Sequence, residues 1–318
     1  MKYLRKFENR EDIVEHIYDG GWLDPNVPAV DYVVNNDTVY YSGVYGADEN
    51  TFNVPPGYIQ LEYVENTGSA YVDFSDVTFD NSHILNIVYM ETTEATSVPI
   101  CNTHATATGY GSWYLYHDNS NNFYGVYIRD NSNTTILAQI IYHDTDQDGL
   151  TPGVKTSLQC YTKIVLPSGG GGHTFLNNAV HIECNNLSTD NSNYETIYNN
   201  DISVNLTNVD FTGGNSHIRL FAYANGGSNF KGRIYYVSLG NNKNGAVMQR
   251  EYTTYEIIPA KEISTDIVGF ILVTKNRTER PMQIGGGGGY EVTVTKTFVA
   301  PSNGTLVAGP VVDLYINN

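Results

Sequence analysis

Cysteine is scarce in this chain: Cys101, Cys160 and Cys184 are the three thiols in 318 residues. An odd count without close C-x-x-C spacing encodes neither a disulfide framework nor a zinc or redox motif, so buried free thiols are expected. Positive charge is short as well. Lys and Arg number 17 against 34 Asp and Glu, a net charge of −17, which disfavours nucleic acid and anionic membranes as partners. Nothing approaches the ~20 consecutive apolar residues of a membrane span, and the start Met1-Lys-Tyr-Leu-Arg-Lys-Phe lacks the apolar region of a secretory signal. Synthesis in the cytoplasm and no membrane insertion are the expectations.

Signatures of catalysis are missing too. There is no Gly-x-Ser-x-Gly elbow, His-Glu-x-x-His helix, P-loop or dinucleotide fingerprint. Sugar hydrolysis needs two carboxylates about 5–10 Å apart, and the Glu-x-Asp-x-Glu pattern that would supply them on one strand face is absent. Glu91-Thr-Thr-Glu94 has the wrong spacing for that and reads as a polar strand end. The eight histidines are scattered; His104, His117, His143 and His173 fall on separate turns without metal-ligand spacing. A non-enzymatic protein requiring no cofactor is expected.

What the chain has is tyrosine, 26 of them, whose apolar ring and wet hydroxyl suit half-buried sheet surfaces. Three regions follow. In residues 1–55, Asn9 can cap a short helix with the stripe Ile13, Val14 and Ile17, ended by Gly20-Gly21. Two short β runs, Val30–Val34 and Thr38–Tyr41, flank the turn-forming Asn35-Asn-Asp37. This small helix-plus-hairpin module closes at Pro55-Pro56-Gly57.

Residues 56–262 read as strands and turns almost without interruption, which predicts a mainly β sandwich. Alternation is plain where Ile59, Leu61 and Tyr63 oppose Gln60 and Glu62, and where Ile202, Val204 and Leu206 oppose Ser203 and Asn205. Residues 263–318 hold Ile267–Val273, Tyr290–Phe298 and Gly309–Ile316 as strands, separated from each other in part by Gly285–Gly289. So short a β unit would hold only a small core.

Two sites are predicted. Asp144-Thr-Asp-Gln-Asp-Gly149 matches the first half of a calcium loop, with Asp144, Asp146 and Asp148 as ligands. Lys155 stands where the bidentate Glu should be, which excludes an EF-hand and leaves a looser Ca²⁺ site against an ordinary Asx-rich turn. The second is a sugar site, where aromatic rings stack on a sugar and Asn or Asp side chains hydrogen-bond it: Trp113, Tyr116, Asp118, Asn119, Tyr124, Tyr127 and Asp130, with Tyr114 among them. Against this, Trp113 also reads as core filling, because large aromatics are mostly buried.

Two segments bracket the central region. The first is Gly57-Tyr-Ile-Gln-Leu-Glu-Tyr-Val-Glu-Asn-Thr-Gly-Ser-Ala-Tyr-Val-Asp73; the second is Gly232-Arg-Ile-Tyr-Tyr-Val-Ser-Leu239 with Arg250-Glu-Tyr through Ile258-Pro-Ala-Lys261. Together they resemble the opening and close of concanavalin-like (LamG-type) jelly-roll modules in structural and adhesion proteins of tailed phages of gut bacteria, including crAss-like phages. The chain departs from that pattern in the longer loop between Gly240 and Arg250 and in lacking an aspartate before Pro-Ala-Lys.

The resemblance implies a jelly roll on a virion surface, assembled in the host cytoplasm. It would be a head fibre or capsid decoration, with residues 1–55 contacting other capsid or tail proteins, as a homo-oligomeric dimer or trimer. Adhesion to a host surface glycan through the jelly roll fits the same picture. A tail receptor-binding protein, a cellular carbohydrate-binding protein and a glycan hydrolase are the alternatives.

Overall fold

The computed structural model describes residues 31–35, 38–42, 54–55, 57–77, 83–92, 98–104, 112–118, 123–130, 132, 135–141, 153–165, 174–187, 193–206, 217–222, 229–241, 251–279 and 290–312. The predicted helix after Asn9, the aspartates 144, 146 and 148, and Asn119 lie outside them. Among the described residues there is no helix, and the chain is built of β-strands. β1 (Asp31–Asn35) and β2 (Thr38–Ser42) pair antiparallel, as the two runs expected there do, but with Asn35 in the strand opposite Thr38 rather than in the turn.

Two larger antiparallel sheets follow. The small one has six strands in the order β10 (Thr135–Ile141), β9 (Phe123–Arg129), β8 (Ser112–Asp118), β7 (Val98–His104), β14 (His217–Leu220) and β5 (Val72–Phe74). The large one runs β13 (Asn193–Ser203), β12 (Thr174–Leu187), β11 (Lys155–Val165), β6 (His83–Glu91), β15 (Gly232–Asn241), β16 (Glu251–Glu262), β17 (Val268–Glu279) and β18 (Tyr290–Val299). Off that path, β3 (Tyr58–Gln60) pairs β16, while β4 (Val64–Asn66) pairs β15 and β19 (Val307–Ala308).

Register explains how the sheets meet. Across the large sheet Cys184, Leu158, Ile87, Val237, Ile257 and Leu272 are directly opposed in turn, and all are buried. Across the small sheet Phe74, Ile218, Thr103, Trp113, Ile128 and Leu137 are opposed in turn, and of these Phe74, Ile218, Ile128 and Leu137 are buried. These buried residues of both rows belong to one apolar cluster, so the sheets form a sandwich whose inner faces bury side chains worth about 1.5–3 kcal/mol each. The three cysteines are free and buried, and burial pushes the Cys184 thiol up to about 12.

The two bracketing segments lie side by side in space. β3 of the first pairs β16 of the second, and β4 pairs β15. Asn66, fully buried, is the hub: its amide donates to the carbonyls of Ala70 (3.0 Å) and Phe230 (2.8 Å), and its oxygen accepts from Gly68 N (3.1 Å). Gly232 must be glycine, because a Cβ there would lie 2.4 Å from the Met90 carbonyl. The alternation predicted over Tyr58–Val64 breaks into two short strands; Leu61 enters the core while Ile59 stays half-buried.

The described residues beyond 262 pack into the sandwich. The β16–β17 ladder runs unbroken from Lys261↔Val268 to Glu251↔Thr278, and Phe270, Leu272 and Leu306 join the common cluster. β16 and β17 are also covered on their outer side, where Ile258, Ala260, Ile271 and Val273 form a second cluster with Tyr58, Tyr236 and Phe298. Strand β7 escapes the sequence pattern because Pro99 and the polar run Asn102–His104 hide its alternation.

Candidate functional site

The outward face of the small sheet gathers aromatic and polar residues in one row. Asp73, Arg219, Asn102, Tyr114, Tyr127 and Ala138 stand opposite one another across β5, β14, β7, β8, β9 and β10. Period-two alternation puts Leu115, Val126 and Ile128 inward and fully buried, so Tyr114, Tyr116, Tyr127 and Arg129 turn outward and are half-buried.

The three tyrosine rings touch. Tyr114 stacks on Tyr127 with centroids 5.3 Å apart and planes within 8°, and Tyr116 meets Tyr127 edge-on at 5.6 Å and Tyr114 at 6.3 Å. Such pairs favour these offset and edge geometries because the ring quadrupole repels a face-to-face sandwich. Arg129 lies 5.4 Å over the Tyr114 ring. Burial raises the Tyr114 pKa, partly offset by the Arg129 charge. Gly125, opposite Tyr116, makes room for the cluster: a Cβ there would fall 2.5 Å from the Tyr127 ring.

Beside the rings the row turns polar and deeper. Arg219 is 6% exposed, pairs with the Asp73 carboxylate and lies 4.9 Å over the Tyr71 ring. Asn102, 4% exposed, donates to the Ala222 carbonyl at 2.6 Å. That bond holds a strained bend, since Phe221 has φ 71°, a left-handed conformation rare for a bulky residue. Its amide donates to Ile100 O at 3.0 Å, its carbonyl accepts from Phe230 N at 2.8 Å, and the two phenyl rings stack.

Of the residues expected from sequence, the structure brings Tyr116 and Tyr127 together. Asp118 shares the parity of Tyr114 and Tyr116 on β8, opposite Phe123. Trp113 stands at the other parity, opposite Thr103 and Ile128, in the row of Phe74, Ile218 and Leu137, and Tyr124 alternates with Val126 and Ile128. Register therefore sets Trp113 and Tyr124 at the strand parity opposite to that of Tyr114, Tyr116 and Tyr127. Asp130 accepts from Ser132 N at 2.9 Å, closing an Asx turn after β9. Missed from sequence were Gly125, Arg129, Arg219, Asn102 and Asp73; only the spacing Tyr114-x-Tyr116 and Tyr127-x-Arg129 hinted at a shared face.

Glu91 ends β6 as expected of it and is 3% exposed. Among the described residues no group of three or more His, Cys, Asp or Glu could hold a metal ion.

No family model matches the chain, and no curated protein matches it. Among solved structures, the CBM40 module of the Ruminococcus gnavus IT-sialidase bound to α2,3-sialyllactose aligns with a TM-score of 0.40 and 13% identity, covering 58% of this chain and 94% of that one. The same module bound to α2,6-sialyllactose gives 0.40 and 14% over the same shares. The native heptameric SAP-like pentraxin of Limulus polyphemus gives 0.33 and 7%, covering 57% of this chain and 74% of its own. Likenesses this distant carry no function across.

Proposed function

We propose that this chain is a non-enzymatic β-sandwich that binds carbohydrate on the outward face of its small sheet. The observation that carries the reading is the cluster of Tyr114, Tyr116 and Tyr127, three half-buried rings packed within 5.3–6.3 Å of one another on an outward sheet face. Ring surface of this kind covers the C–H face of a sugar, and Arg129 supplies hydrogen-bond donors at its margin. The test is a glycan array probed with the purified chain, followed by analysis of the retained glycan. Retention without release of reducing ends is expected. Release of reducing ends would convert the reading to hydrolysis, and retention unchanged in a Tyr116→Ala/Tyr127→Ala variant would move the site elsewhere.

The sequence resemblance supports placing this module on the surface of a tailed-phage particle, as a head fibre or capsid decoration attached through residues 1–55. Its observation is the pairing of the two bracketing segments, which lie together as β3–β16 and β4–β15. Immunogold electron microscopy of particles from the source, with antibody against residues 57–261, tests it. Label over the head is expected; label at the tail tip would favour receptor binding, and unlabelled particles would leave a cellular carbohydrate-binding protein.

A further inference from the structure

Sheet edges expose rows of backbone N–H and C=O groups, and proteins guard them with short strands, bulges, proline or lysine. Three of the four ends of the two sheets are guarded here. β5 is three residues long. β10 has a register shift between Thr135 and Leu137. β13 has two, between Cys184 and Asn185 and between Asn186 and Leu187 of its partner.

β18 differs. It is ten residues long and pairs β17 without a shift, from Phe270↔Val299 to Glu279↔Tyr290. It contains no proline and a single lysine, Lys296, and residues 293–297 are exposed on both faces, with Val294 at 48%. Among the described residues no strand pairs its outer side.

We infer that β18 is the seam of a homodimer, in which it pairs antiparallel with β18 of a second copy across a two-fold axis at Val294. The strand itself selects a second copy as occupant. It alternates valine and threonine, and a two-fold at Val294 sets Thr293 opposite Thr295 and Tyr290 opposite Phe298, pairings that suit a ladder. Its one acid, Glu291, and one base, Lys296, then oppose Thr297 and Val292 rather than their own copies. The strand is thus locally neutral in a chain of net charge −17, giving two like-charged molecules a place to approach.

The test uses the full chain. Sedimentation velocity should show a dimer. Val294→Lys, which sets two ammonium groups opposite each other at the axis, should abolish the dimer while the far-ultraviolet circular dichroism stays unchanged. Val294→Cys should form an intermolecular disulfide on oxidation, because directly opposed strand residues lie within the Cα separation a disulfide spans and the three native thiols are buried. The same substitution at Ile263, exposed in the β16–β17 turn, should not crosslink. A wild-type chain that sediments as a monomer overturns the inference. So does a dimer that survives Val294→Lys and leaves Val294→Cys uncrosslinked.

Discussion

On the outward face of the large sheet, tyrosine rings lie under cations. Lys155 Nζ is 4.0 Å from the Tyr235 ring centroid, Arg233 lies 4.4 Å over Tyr63, and Arg233 Nε also pairs with Glu65 at 2.8 Å. On the outward face of the small sheet, Tyr114, Tyr116 and Tyr127 lie against one another, with Arg129 over the Tyr114 ring. One residue type therefore has two uses. Under a cation, a ring face is committed to stability, since the contact adds about 0.5–1 kcal/mol at an exposed site. Gathered in a cluster, the rings pack on one another, and it is to the Tyr116 and Tyr127 side of that cluster that we assign the ligand.

The ion pairs of the two faces differ in the same sense. The side chains of Arg219 and Asp73 are 8% and 22% exposed, whereas that of Arg233 is 31% exposed beside Glu65 at 17%. Arg219→Met removes the buried guanidinium from its carboxylate and from the Tyr71 ring and should cost about 3 kcal/mol. Arg233→Met, which removes a guanidinium that is 31% exposed, should cost about 1 kcal/mol. Urea unfolding midpoints compare them directly; equal losses would erase the distinction between the faces.

A smaller effect is expected at Gly125. A Cβ there meets the Tyr127 ring at 2.5 Å, and because a ring can swing, Gly125→Val should cost stability about 1–2 kcal/mol while displacing Tyr127 and weakening glycan retention. Stability lost with retention intact would show that the cluster is packing alone.

The smallest effect is alkaline. Burial, then the Glu256 charge, pushes Tyr236 up to about 12, and burial raises Tyr114 and Tyr235 as well. A tyrosine with a raised folded pKa supports folding only while protonated. Its contribution is whole below pH ~10 and is lost as pH climbs through about 12. Phenolate absorbance should follow that order, with Glu256→Gln lowering the Tyr236 value and Arg129→Ala raising that of Tyr114. Unmoved titrations would remove the electrostatic difference between the faces.

How far the sequence revealed this arrangement depended on range. Val204 and Leu206 are buried while Ser203 and Asn205 are exposed, as their alternation required. The hairpin at Asn35 and the buried thiols were equally local inferences. Register was beyond reach, because a shift of one residue moves every side chain to the other face. That is why Trp113 and Tyr124 looked like neighbours of Tyr116 and Tyr127 when the register sets them at opposite parity. Arg219 and Asp73, 146 residues apart, had no local signal at all. Phe270 and Leu272, beyond residue 262, join the same apolar cluster as the strands before it, a contact that only the register of β16 and β17 reveals.

The most direct test is titration calorimetry of a glycan retained by the wild-type chain against Tyr127→Ala and Tyr235→Ala, one ring from each outward face. Loss of binding in Tyr127→Ala with wild-type affinity in Tyr235→Ala is the predicted result. Binding that survives Tyr127→Ala, or falls only with Tyr235→Ala, would contradict the assignment of the small-sheet face as the sugar-binding surface.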